Sequence, residues 1–152
     1  MTNPLKTNAS ASLGLLLARL PVGAFFVLAG YEKVFKTGVD SFVKIATTTA
    51  RPLPFEVSPG VMNAYLHAVP FLELVVGTWL IVGIFSRISA LIGGLMLVSF
   101  VVGCTGIMMT GMPFHPNVIY LGVLLCVLLA GAGTMSLDQL LFNKKKRKPQ
   151  AA

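Results

Sequence analysis

The run ISALIGGLMLVSFVVGCTGIMMTGMPFHPNVIYLGVLLCVLLAGAGTMSL, from Ile88 to Leu137, holds 50 residues without a formal charge. As one helix rising about 1.5 Å per residue it would be about 75 Å long, more than twice a hydrocarbon core of about 30 Å. It must therefore turn back on itself, and Gly111-Met112-Pro113-Phe114-His115-Pro116 supplies the residues that break it. Two apolar spans result, Ile88 to about Met112 and Asn117 to about Thr134.

Working outward, a window of about 19 residues finds two more spans, Ser12 to Phe35 with Arg19 and Pro21 inside it, and Leu66 to Phe85 with Glu73 inside it. The whole chain of 152 residues is 55% hydrophobic and 11% charged, whereas soluble domains carry about 25% charged residues. These figures exclude most soluble classes and predict an all-α polytopic membrane protein, a four-transmembrane-helix bundle occupying residues 1–142, followed by a basic tail over residues 143–152. Met1 to Leu28 imitates a secretory signal peptide, but Arg19 interrupts its apolar region, and the segment reads as a retained helix.

The net charge of +7 does not point to nucleic acid, because the basic residues form no broad face. Lys144, Lys145, Lys146, Arg147 and Lys148 sit together beside the last span, where each contributes about 1 kcal/mol to holding the chain on anionic lipid headgroups. Four spans place both termini on one side. That side holds Lys6, Arg87 and the five tail residues, seven in all, against Lys33, Lys36, Lys44 and Arg51 opposite. The positive-inside rule then puts both termini in the cytoplasm.

The one long connection runs from Lys36 to about Tyr65. Val39, Phe42, Val43 and Ala46 recur at helical spacing, which predicts a short amphipathic helix lying in the outer interface. Arg51-Pro52-Leu53-Pro54-Phe55 ends it, and Ser58-Pro59 reads as an N-cap followed by proline at the first helical position, so the second helix starts before the membrane does. Pro70 is expected to kink that helix. Ser136 to Phe142 reads as amphipathic turns on the cytoplasmic surface. Cys104 and Cys126 match no metal-ligand spacing and read as small packing residues, and no metal site is expected.

Charged side chains inside a bilayer cost roughly 3 kcal/mol or more, so Arg19 and Glu73 are candidate functional residues. The competing reading is a structural ion pair between them. Arg19 lies 14 residues before Lys33 and Glu73 lies 7 after Leu66, about 21 and 10 Å below the outer boundary. That gap is long for direct contact and makes Lys33 an alternative partner for Glu73. The turn holding His115 is at the same end, as are Tyr31, Tyr65, His67, Asn117 and Tyr120. Glu73, Lys33, Arg19 and His115 thus form a candidate proton-handling site, with Tyr31, His67, Asn117 and Tyr120 as further polar residues at the same end. Against this, tyrosines at helix ends commonly anchor in the interface, and His115 between two prolines also serves as a plain turn residue. Gly77, Gly83, Gly93, Gly94, Gly103 and Gly106 read as positions of close helix approach.

The arrangement resembles the DoxX family of small four-helix membrane proteins. The resemblance rests on Leu17-Ala18-Arg19-Leu20 with Gly23, Phe26, Gly30 and Lys33, then Glu73 with Gly77, Leu80 and Gly83, then Phe85-Ser86-Arg87. It closes on Gly131-Ala132-Gly133 and Ser136-Leu137-Asp138, covering roughly Leu13 to Leu140. The family is named through a relative of the membrane subunit of thiosulfate:quinone oxidoreductase, and some members associate with redox partners. The resemblance therefore implies a membrane component linked to the quinone pool in the inner membrane of a prokaryote, with Arg19, Lys33 and Glu73 at its polar positions and Tyr31, His67, Asn117 and Tyr120 as a candidate quinone pocket. The second reading is a non-catalytic accessory or scaffold subunit, packed against a larger membrane complex or a second copy of itself. The Lys36 to Tyr65 connection matches no motif that would name a substrate.

Overall fold

The computed structural model describes residues 9–49, 57–103, 116–131 and 136. The Arg51 to Phe55 segment, the Gly111 to His115 part of the predicted turn, Cys104, Gly106, the Leu137 to Phe142 turns and the Lys144 to Lys148 run lie outside the described residues. What is described is helical throughout: α1 (Ala9–Tyr31), continued by a π-helical segment (Glu32–Thr37), α2 (Val39–Thr49), α3 (Pro59–Val82), α4 (Ser86–Gly103) and α5 (Pro116–Ala130).

α1 and α3 form the main seam, α4 packs on α5 and on α3, and α1 also touches α5. The α1–α3 seam is close because glycines face each other across it. A Cβ built on Gly77 would lie 2.7 Å from the Gly23 carbonyl oxygen and 2.7 Å from the Val27 nitrogen. Both are backbone atoms that cannot rotate away, so only glycine allows this approach, as is common where helices meet in a membrane. Gly93 and Gly94 meet side chains at ordinary or slightly tight distances. Around the seam Val22, Phe26, Val69, Val76, Leu80, Leu97, Leu124 and Val127 form one buried cluster.

The outside is as apolar as the inside. Leu17, Leu28, Phe71, Leu95, Ile119 and Leu129 are all exposed, while Arg19, Glu73, Ser12, Ser89 and Asn117 are buried. In water such a surface would aggregate; large exposed apolar area with polar groups turned inward is what a lipid-facing exterior requires. Ala11–Thr37 and Pro59–Val82 are each long and apolar enough to cross a membrane, and α4 and α5 are apolar but shorter.

Element ends differ from the sequence expectation where local backbone chemistry intervenes. α3 begins at Pro59 as Ser58-Pro59 predicts, although the Ser58 side chain makes no capping hydrogen bond. It stops at Val82 rather than Phe85 because Gly83 adopts φ +76° and its N–H donates to the Trp79 carbonyl at 2.8 Å, a left-handed helix ending. α4 therefore starts at Ser86. α5 ends at Ala130 rather than Thr134, since Gly131 has φ +80°. Cys126, expected to be a packing residue, is exposed on α5.

Candidate functional site

Two buried charges mark the α1–α3 seam at opposite ends. Midway along α1 stands Arg19, which is 1% exposed. Its guanidinium lies on Gly83, where an added Cβ would stand 2.7 Å from one terminal nitrogen and 2.9 Å from the other. Gly83 is the ending of α3, so the cation sits at the negative end of that helix, where the last carbonyls lack partners within the helix. Arg87 lies over Gly131 at the end of α5 in the same manner, with Nε 3.5 Å from a built Cβ.

At the other end, α1 widens into the π-helical segment that carries Lys33. Such segments often occur at functional positions. The Lys33 ammonium donates to Oε1 of Glu73, and the two form an ion pair. Glu73 itself is 1% exposed, and its Oε2 is buried with no hydrogen-bond partner among the described residues. The Lys33 Nζ also stands 5.1 Å from the centre of the Phe42 ring of α2 and 5.5 Å from that of Phe100 of α4, within the range of cation–π attraction. The ammonium is thus surrounded by one carboxylate and two phenyl faces from three helices. Between α3 and α4 the hydroxyls of Tyr65 and Ser99 are hydrogen-bonded to each other, and Ser99 Oγ donates to the Met96 carbonyl at 2.7 Å.

The structure therefore brings Lys33 and Glu73 together and leaves Arg19 apart from them. Gly83, against which Arg19 rests, is ten residues beyond Glu73, about 15 Å along α3. Of the other residues expected here, Tyr31 faces outward instead, stacked on Phe35 with ring centroids 4.9 Å apart. His67 also lies away from the pair, with Nδ1 2.8 Å from the Asn63 carbonyl oxygen and Nε2 3.3 Å from Asp40 Oδ1. Asn117 is buried in the first turn of α5. Tyr120 packs on Phe25 at 4.6 Å, eight residues before Lys33, about 12 Å away along α1. His115 lies outside the described residues. Sequence reasoning misses Phe42 and Phe100 as members of the site. Phe42 carries a signal, its place on the apolar face of an amphipathic helix; Phe100 is one more apolar residue in an uncharged span and carries none.

Chemically, a carboxyl group can accept or release a proton, and an ammonium group can donate up to three hydrogen bonds. An acid held by one oxygen, with the other buried and open, can serve a hydroxyl or carbonyl brought to it. The arginine at the far end cannot lose its proton and lies against the backbone that closes α3.

Among known proteins, the DoxX family model matches residues 14–106. No curated protein and no solved structure matches the chain.

Proposed function

The chain belongs to the DoxX family of membrane proteins, and from that premise we propose that it is the membrane component of a redox system linked to the quinone pool. The observation that carries this reading is Glu73 Oε2, a buried and unpartnered acceptor beside a lysine and two phenyl rings. A quinone, flat and apolar with two oxygens, suits aromatic walls and a single polar contact. Its reduction takes two electrons and two protons. A partner redox protein supplies the two electrons; Glu73, protonated at Oε2, passes one proton to the nearer quinone oxygen, and the second proton reaches the other oxygen from water. Lys33 holds Oε1 and steadies negative charge near the reacting oxygen, while Phe42 and Phe100 keep water from the pair.

In this reading α1, α3, α4 and α5 are four membrane spans, and the greater positive charge at the termini supports a cytoplasmic location for both. At 18 and 15 residues, α4 and α5 are about 27 and 22 Å long, which local thinning of the bilayer accommodates. Arg19 and Arg87 then lie toward the cytoplasmic face, the Lys144–Lys148 run rests on anionic headgroups, and the bilayer is the inner membrane of a prokaryote.

Gentle detergent extraction followed by mass spectrometry of co-purifying proteins and lipophilic small molecules tests the proposal. Quinone carried near stoichiometrically by the native protein and lost in Glu73→Gln is the expected result. Recovery in fixed ratio with a larger assembly, with no quinone and no change in Glu73→Gln, overturns it in favour of an accessory subunit.

A further inference from the structure

α2 is attached to the rest of the molecule unlike any other described helix. Its Val43 and Ala46 pack on Leu66 in a small cluster, and Phe42 packs against the edge of the main cluster and reaches the Lys33 ammonium. It follows Gly38, at φ +80° and ψ 139°, a backbone conformation that an L side chain rarely adopts and that glycine enters freely. A Cβ on Gly38 would meet only Ser41 Oγ at 3.9 Å, so the residue is glycine for its torsion and not for lack of room. On the outer edge, α2 is tied to α3 by a polar contact, Asp40 Oδ1 to His67 Nε2 at 3.3 Å. Asp40 is fully exposed there, and a contact so open to solvent holds weakly.

A swivel at one end, a plug in the middle and a weak tie at the edge are the parts of a lid. We infer that α2 opens about Gly38, withdrawing Phe42 from the Lys33–Glu73 pair, and that the Asp40–His67 contact sets how often it does so. Such a lid rests on the reading of that pair as a worked site, and it supplies the path by which a lipophilic molecule reaches an acid that the closed structure buries. Phe42 of α2 is one of the walls around the ammonium that pairs with Glu73, so on that side the pair is covered by a short helix.

Labelling of Glu73 reads access directly and does not use quinone, so it fails or succeeds independently of the redox proposal. Full-length protein in lipid nanodiscs is treated with dicyclohexylcarbodiimide, which attaches to carboxyl groups within membranes, and labelling at each acid is followed by peptide mass. Asp40→Asn is expected to raise the Glu73 labelling rate by up to about fivefold, the size of shift that losing one surface contact gives an opening equilibrium. Asp40→Cys/His67→Cys joined by a short bis-maleimide, in a Cys104→Ser/Cys126→Ser background, is expected to drop it below the unmodified rate. Equal Glu73 labelling in the native, Asp40→Asn and cross-linked proteins overturns the lid. So does a rise in Asp40→Asn shared equally by Glu32, Glu56 and Asp138, which would mean general loosening.

Discussion

The two ends of the α1–α3 seam each bury a charge, and they do so by opposite means. At the Arg19 end the cation is spread over the ending of α3 and enclosed by the body of the bundle, against a glycine that no other residue replaces without contact. At the Lys33 end the charge is matched by a carboxylate, one oxygen of that carboxylate is left over, and the cover is a short helix. A guanidinium on backbone fixes geometry and exchanges no proton. A lysine–glutamate pair with a spare acceptor can do both. Burial of charge in a membrane is therefore two phenomena, and only the second is suited to chemistry.

The largest effect should come from halving the pair. Lys33→Met leaves the Glu73 carboxylate buried without its cation, and removing one partner of a buried pair costs about 3–5 kcal/mol. The lower end applies because the Lys33 side chain keeps 22% exposure. Lys33→Met/Glu73→Gln removes both charges and should recover most of that loss, since paired replacement is often neutral. Unfolding in mild detergent followed by circular dichroism measures both. If the double variant is stable and carries no quinone, the pair is there for chemistry; if it is as unstable as Lys33→Met, the pair is structural and the two ends are alike after all.

Next in size is Gly83→Ala at the other end. Its φ of +76° costs a side chain about 1–2 kcal/mol, and the new Cβ would displace the Arg19 guanidinium, 2.7 Å away. The total should exceed the torsional cost alone, while quinone content per folded molecule stays unchanged. A loss of quinone from folded Gly83→Ala would show that the two ends are coupled along α1.

Much of this contrast is legible in the amino-acid sequence itself. Charge-free length dictates the helical, membrane-type architecture, and the start signal at Ser58-Pro59 and the periodicity of Val39, Phe42, Val43 and Ala46 place α3 and α2. The rise per residue is enough to separate Arg19 from Glu73 by depth and to offer Lys33 instead. Which way a side chain leaves its helix is not legible, because helical phase drifts wherever the winding changes. The π-helical segment re-aims Lys33, and Tyr31, just before it, turns outward. His67 illustrates the same limit: it is at the right depth, on the wrong face. Phe100 becomes part of the site through packing of α4 against α3, which no local pattern encodes.

The smallest effects test the cover over the Lys33 end. Gly38→Ala meets no neighbour closer than 3.9 Å, so it should lose only the torsional contribution of about 1–3 kcal/mol, with no displaced neighbour to add to it. The loss should fall on α2 alone: hydrogen exchange of α2 amides should quicken while those of α1 and α3 hold their protection, as expected where one unit opens by itself. Asp40→Asn should be milder still, with no measurable change in the unfolding midpoint, because a fully exposed partner contributes little to the folded state. The same substitution at the edge of the enclosed Arg19 end has no counterpart, since no short helix covers Arg19 among the described residues. If α1 and α3 lose protection together with α2 in Gly38→Ala, then α2 is one more wall of a single cooperative body, and the Lys33 end is closed as firmly as the Arg19 end. If α2 alone responds, the difference between the ends lies in their dynamics as well as their charges, and the acid is buried only for as long as a short helix stays down.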